Sequence, residues 1–113
     1  MRVYRFERNG MGPYVGQDTP ELHDLHWKHG RDNPGRPGWL DDRLPRYEEY
    51  LSGCESALAL LCWFDGFLGA LERAGYEIAE YEVDPEFVKL GLSGLQLSFD
   101  STKAVRVPTH RPV

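Results

Sequence analysis

The sequence predicts an α+β fold: a small, mostly antiparallel sheet with one helix layer on one face, behind a long N-terminal loop. Three observations carry this. Apolar and polar residues alternate over residues 3–7 and again over 95–100, a period of two that belongs to strands. An apolar run from Ala57 to Phe64 continues through Phe67, Leu68, Leu71 and Ala74 at helical spacing. Between these, residues 18–45 hold Pro20, Pro34, Pro37 and Pro45 with Gly30, Gly35 and Gly38, which forbids a long regular element.

The elements follow in order. Val3 and Arg5 point one way on the first strand and Tyr4 and Phe6 the other; the strand ends at Asn9-Gly10. Gly10, Gly12, Pro13 and Gly16 then mark a loop. A short helical turn is expected from Asp18 or Thr19, with Pro20 at its first position. Ser52 and Glu55 have capping-box spacing and are expected to start the main helix. That helix is apolar on nearly all sides, which predicts burial. Asp65-Gly66 either kinks it or divides it, and Gly75 is placed to cap it. Residues 76–83 read as a strand, Phe87 to Leu90 as a short one, Gly91 to Gly94 as a turn, Leu95 to Asp100 as a strand, and Ala104 to Val107 as an edge strand. Residues 108–113 form a loose tail. Leu58, Leu61, Phe64, Leu71, Ile78, Leu97 and Phe99 are expected to be buried together.

Composition narrows the function classes. The chain has 113 residues, 41% of them hydrophobic, which suits one domain, residues 1–113, with one core. Its 13 Lys+Arg against 18 Asp+Glu give a formal charge of −5, the wrong sign for a general nucleic-acid binder. No run reaches the roughly 18 to 20 apolar residues needed to cross a bilayer, and the alternating, charged start is no signal peptide. A soluble protein of the cytosol is expected. Cys54 and Cys62 are eight apart, too far for a bridge along one regular helix, and read as buried thiols.

Several short motifs fall in a recognisable order: Gly12-Pro13-Tyr14, then Cys54 with Ser56, Trp63-Phe64, Leu71 to Gly75-Tyr76, Tyr81-x-Val83, and Gln96 with Phe99. In this the chain resembles a family of small phage- and prophage-type proteins with no assigned activity. It departs from them in the loop, where a compact His-Pro-x-Pro-x-x-Asp is spread over His29 to Asp41. The resemblance, with the small size and acidity, implies a phage protein that docks on a host protein in the host cytosol. Inhibition of a host defence complex, anti-CRISPR action included, is its most specific form. The acidic stretch Glu77, Glu80, Glu82, Asp84 and Glu86 is one candidate face for that contact. Trp27, Trp39 and Arg36 in the loop are another, because Trp and Arg are common interface anchors. Each has a plain alternative: a charged strand edge that resists aggregation, and aromatics that lid the core.

Two enzymatic readings stand beside docking. A first strand carrying an arginine, then a helix and a late strand with an amide, is similar to a reduced ADP-ribosyltransferase. That resemblance implies NAD as cofactor, Arg5 gripping it, and Gln96 at the position of the catalytic glutamate. A neutral amide there cannot stabilise an oxocarbenium charge as a carboxylate does. His23, His26 and His29 form H-x-x-H-x-x-H and could hold a metal for a hydrolase. On a straight helix the first and third drift about 120° apart, so the expectation is that they bind no structural zinc.

Overall fold

The computed structural model describes residues 1–13, 44 and 49–108. The expected turn at Asp18, the body of the 18–45 loop and the end of the tail lie outside the described residues. The remainder forms eight strands and helices: β1 (Arg2–Glu7), β2 (Tyr50–Gly53), α1 (Ala57–Trp63), α2 (Leu68–Arg73), β3 (Glu77–Val83), β4 (Val88–Leu90), β5 (Leu97–Asp100) and β6 (Ala104–Val107). The fold is α+β, as the patterning predicts.

The expected sheet is divided in two. Strand order is β1-β3-β6 in one and β2-β5-β4 in the other, all antiparallel. The two meet at one rung, where Tyr4 N donates to Cys54 O (2.9 Å) and Cys54 N to Tyr4 O (2.8 Å). At that rung the backbones come close: a Cβ on Gly53 would stand 2.6 Å from Val3 Cγ1 and 2.9 Å from Tyr4 O. Only glycine allows the approach.

Because β1 is covered on both faces, the core is two clusters rather than one. Val3 and Val83 meet Leu97 and Phe99 between the sheets. On the opposite face Phe6 and Tyr76 meet the helices through Leu60, Trp63, Phe64, Phe67 and Leu71. The layers are therefore helices, first sheet, second sheet.

The helix begins later than the Ser52–Glu55 spacing predicts. Ser52 lies inside β2, paired with Ser98. The cap is Ser56, in extended conformation, whose hydroxyl accepts from Ala59 N at 3.0 Å. This start sets which stripe is covered: Leu60, Trp63, Phe64 and Phe67 recur at i, i+3, i+4, i+7 and are buried. Leu58 (71% exposed) and Leu61 (36%) are not core residues, because α1 lies on the surface of the sheet and only one stripe meets it. Cys62 is likewise exposed, while Cys54 is buried, and neither is in a disulfide.

The helical run is two pieces, divided at Gly66. Gly75 ends α2 in the left-handed region (φ 89°), with Tyr76 N donating to Leu71 O and Gly75 N to Glu72 O. These are the two bonds of a Schellman cap. At the first turn of the chain, Asn9 and Gly10 both have positive φ and Arg8 pairs with Met11, so the loop opens as a two-residue hairpin. In β5 the expected alternation fails at Ser98, which is fully buried beside Leu97 and Phe99 because β5 is the central strand of its sheet. Leu95, expected inside, is 43% exposed and precedes the strand.

Candidate docking groove and buried ion pair

The outer face of the first sheet is built by strand parity. Tyr4, Phe6, Ile78, Glu80 and Val107 share it, since Phe6 registers with Ile78, Tyr4 with Glu80, and Glu80 with Val107. The two short helices cover only part of this face. The uncovered part is a groove of about 1130 Å³, with Leu61, Leu68 and Glu72 on the helix side and Val107 and Pro108 on the other. Its apolar floor is broken by three carboxylates, Glu72, Glu77 and Glu80, and among the described residues no Lys or Arg lines it.

Of the acidic stretch, Glu80 and Glu82 are already engaged. Arg2 Nη1 pairs with Glu80 at 2.7 Å and Arg2 Nε with Glu82 at 2.7 Å. The Met1 ammonium adds a 3.0 Å contact to Glu82. The Tyr4 hydroxyl donates to Glu80, and that bond, with burial and the Glu80 charge, raises the phenol above its ordinary value. Asp84 accepts from Glu86 N at 3.1 Å and caps a single 3₁₀ turn. Glu77 and Glu86 are exposed and make no ion pair among the described residues. Glu77 therefore lines the groove, Glu80 stands in it held by Arg2, and Glu82, Asp84 and Glu86 lie outside it.

The opposite parity places Val3, Arg5 and Glu7 between the sheets. Arg5 Nη1 donates to Glu7 Oε2 at 2.7 Å, with side chains only 8% and 5% exposed. Glu7 also accepts from the Tyr81 hydroxyl (2.6 Å) and from Arg106 (3.3 Å). Burial first, then the bond to Glu7, raises the Tyr81 phenol. Gly12 gives this arrangement its room, because a Cβ there would stand 2.7 Å from Arg5 Nη2. The glycine of Gly12-Pro13-Tyr14 thus serves the packing of an internal arginine.

Arg5 and Gln96 do share a cavity, with Ser52, Cys54, Trp63 and Phe64 among its walls, but it measures about 20 Å³. That is room for about one water molecule. A dinucleotide needs a cleft of several hundred Å³. Arg5 is turned inward onto Glu7, and Gln96 is buried just before β5 with its carbonyl accepting from Gly91 N. The likeness to ADP-ribosyltransferases is not supported, and neither Arg5 nor Gln96 is placed for the NAD role it implied. Burial raises the Cys54 thiol to about 12, so it is protonated at neutral pH and no nucleophile.

His23, His26, His29, Trp27, Trp39 and Arg36 lie outside the described residues. Among the described residues no group of three His, Cys, Asp or Glu is placed to hold a metal ion. None of the described helices is long and apolar enough to cross a membrane.

A family model described as bacteriophage T4 Y00F protein matches residues 1–112, nearly the whole chain. The chain belongs to that family. No curated protein and no solved structure matches it. The phage resemblance carried by Gly12-Pro13-Tyr14 and Trp63-Phe64 is thereby confirmed as a phage protein family.

No sequence motif marks the groove. Its acidic member Glu72 carries no motif, and the apolar run that holds Leu61 predicts that residue inside the core. The Arg5–Glu7 pair had a signal in plain view. Two opposite charges two apart on a strand share a face with Val3, so they are either both wet or paired.

Proposed function

We propose that this phage protein works in the host cytosol by docking on a host protein, with the groove over the first sheet as its contact. The carrying observation is the groove itself: an open, apolar floor between α1, α2 and β6, edged by carboxylates and without a basic residue among its described lining. Contiguous apolar surface of this kind, rimmed by polar groups, is costly to leave in water and marks contact sites. The more specific form of the proposal is inhibition of a host defence complex, anti-CRISPR action included. Its support is the phage family and the acidic contact, which complements a basic surface such as a nucleic-acid channel.

The test is a comparison of wild type with a groove variant, Leu61→Asp combined with Glu77→Lys. Both positions are exposed, so the fold should survive. Affinity capture from host lysate with mass spectrometry should recover a host protein with wild type and lose it with the variant. Equal recovery by both proteins would exclude the groove as the contact.

A further inference from the structure

We infer that the groove receives a short amphipathic helix bearing lysine or arginine from the partner. This rests on the docking reading above and names the chemistry of what docks. The lining alternates two kinds of contact. Tyr4, Phe6, Leu61, Leu68 and Ile78 offer apolar surface; Glu72 offers charge from the helix side, and Glu77 borders the groove at the first position of β3, where it registers with Glu7. Among the described residues neither carboxylate has an ion-pair partner, and no cation lines the groove to neutralise them from within. A cation on the incoming segment is the complement they lack.

Helix is favoured over strand by the groove's size and by the sheet edge beside it. A helix about 10 Å across rising 1.5 Å per residue fills roughly 120 Å³ per residue, so about 1130 Å³ accommodates about nine residues, or two to three turns. That is enough for anchors at i, i+3, i+4 and i+7. An added strand would have to pair with β6. This edge has four residues, Ala104–Val107, and Pro108 follows at once. So short an edge, ended by proline, is a poor template for strand addition.

Three synthetic twelve-residue probes test this. One is a Leu/Lys amphipathic helix, one its Leu/Glu counterpart, and one a Leu/Lys peptide of the same composition with strict alternation. Binding is read by fluorescence anisotropy and mapped by backbone amide shifts. The Leu/Lys helix should bind with shifts at Leu61, Leu68 and Ile78. Glu72→Lys with Glu77→Lys should weaken it at least tenfold, Glu86→Lys less than twofold, and raising salt should weaken it further. The Leu/Glu helix should not bind. Tighter binding by the alternating peptide with shifts along β6, equal binding of both charge types, or no binding at millimolar peptide would each overturn the inference. Its failure is separable from that of the docking reading. Host capture that survives the groove variant, or an absence of any host partner while the Leu/Lys helix binds normally, bears on docking and not on groove chemistry.

Discussion

Replacing Glu7 by Met should cost far more than replacing Arg5 by Met, although the two share one ion pair. Glu7→Met leaves a buried guanidinium with no acceptor for its side chain, whose Nε already lacks a partner. Removing one partner of a buried pair costs on the order of 3–5 kcal/mol, much of it the uncompensated charge. Arg5→Met leaves Glu7 with the Tyr81 hydroxyl at 2.6 Å and Arg106 at 3.3 Å. Hydrogen bonds to charged groups are worth about 1.5–3 kcal/mol each, so the retained pair should hold the loss to about 1–3 kcal/mol. The double replacement removes both charges from the interior and should cost less than Glu7→Met alone. Urea unfolding followed by circular dichroism reads all three. With a slope of about 1–2 kcal/mol/M, Glu7→Met should lower the midpoint by roughly 1.5–5 M. Should that variant not fold, Arg5→Met and the double variant still decide, because a folded double variant is itself the expected rescue. An Arg5→Met loss as large as that of Glu7→Met, or a double loss equal to the sum, would refute the internal-pair account.

The remaining expectations concern packing and ionisation. Leu60→Ala should cost about 2–5 kcal/mol and Leu58→Ala less than about 0.5 kcal/mol, since the first is 1% exposed and the second 71%; paired thermal melts check this. Gly53→Ala forces a methyl against Val3 and the Tyr4 carbonyl and should destabilise by about 1–3 kcal/mol, measured by urea midpoint. One thiol, that of exposed Cys62, should react with an aromatic disulfide reagent at pH 8, and the second, buried Cys54, only after unfolding. Because the Cys54 thiol is raised from 9.0 to about 12, the unfolded chain gives up this proton first. Stability should therefore be intact below about pH 9 and fall as pH rises toward 12, with Tyr4 and Tyr81 acting in the same direction. Equilibrium unfolding between pH 7 and 11 tests it, and a midpoint that rises with pH would contradict it.

Local rules were legible where local chemistry decides. The Gly75 cap, the Asn9-Gly10 turn, the break at Gly66 and the β3 and β6 strands were all visible, because each depends on a few adjacent residues. What escaped depended on distant partners. Tyr50-Leu51-Ser52-Gly53 has no strong strand pattern, and becomes a strand because β5 offers it a pairing partner. An apolar helix predicts Leu58 and Leu61 inside, yet the second sheet lies on the far side of β1 and covers neither. The groove was illegible for the same reason. It exists where two elements fail to meet, and no residue type marks such a place.

The register of β1 has a consequence for how the chain comes to be folded at all. Val3 pairs with Tyr81 and Phe6 with Ile78, partners roughly 70 to 80 residues downstream. At about 5–20 residues per second, synthesis leaves the first strand waiting roughly 4–16 s before its neighbour exists. Through that interval the cluster that holds Val3 lacks Val83, Leu97 and Phe99, and the one that holds Phe6 gains Tyr76 only at its end. Arg2, Arg5, Glu7 and Arg8 interrupt the strand's apolar side chains and discourage association with other nascent chains. The same Arg5 and Glu7 that later pair between the sheets thus first keep the unpartnered strand in solution, and it is the late arrival of β3 that turns two solvated charges into an internal pair.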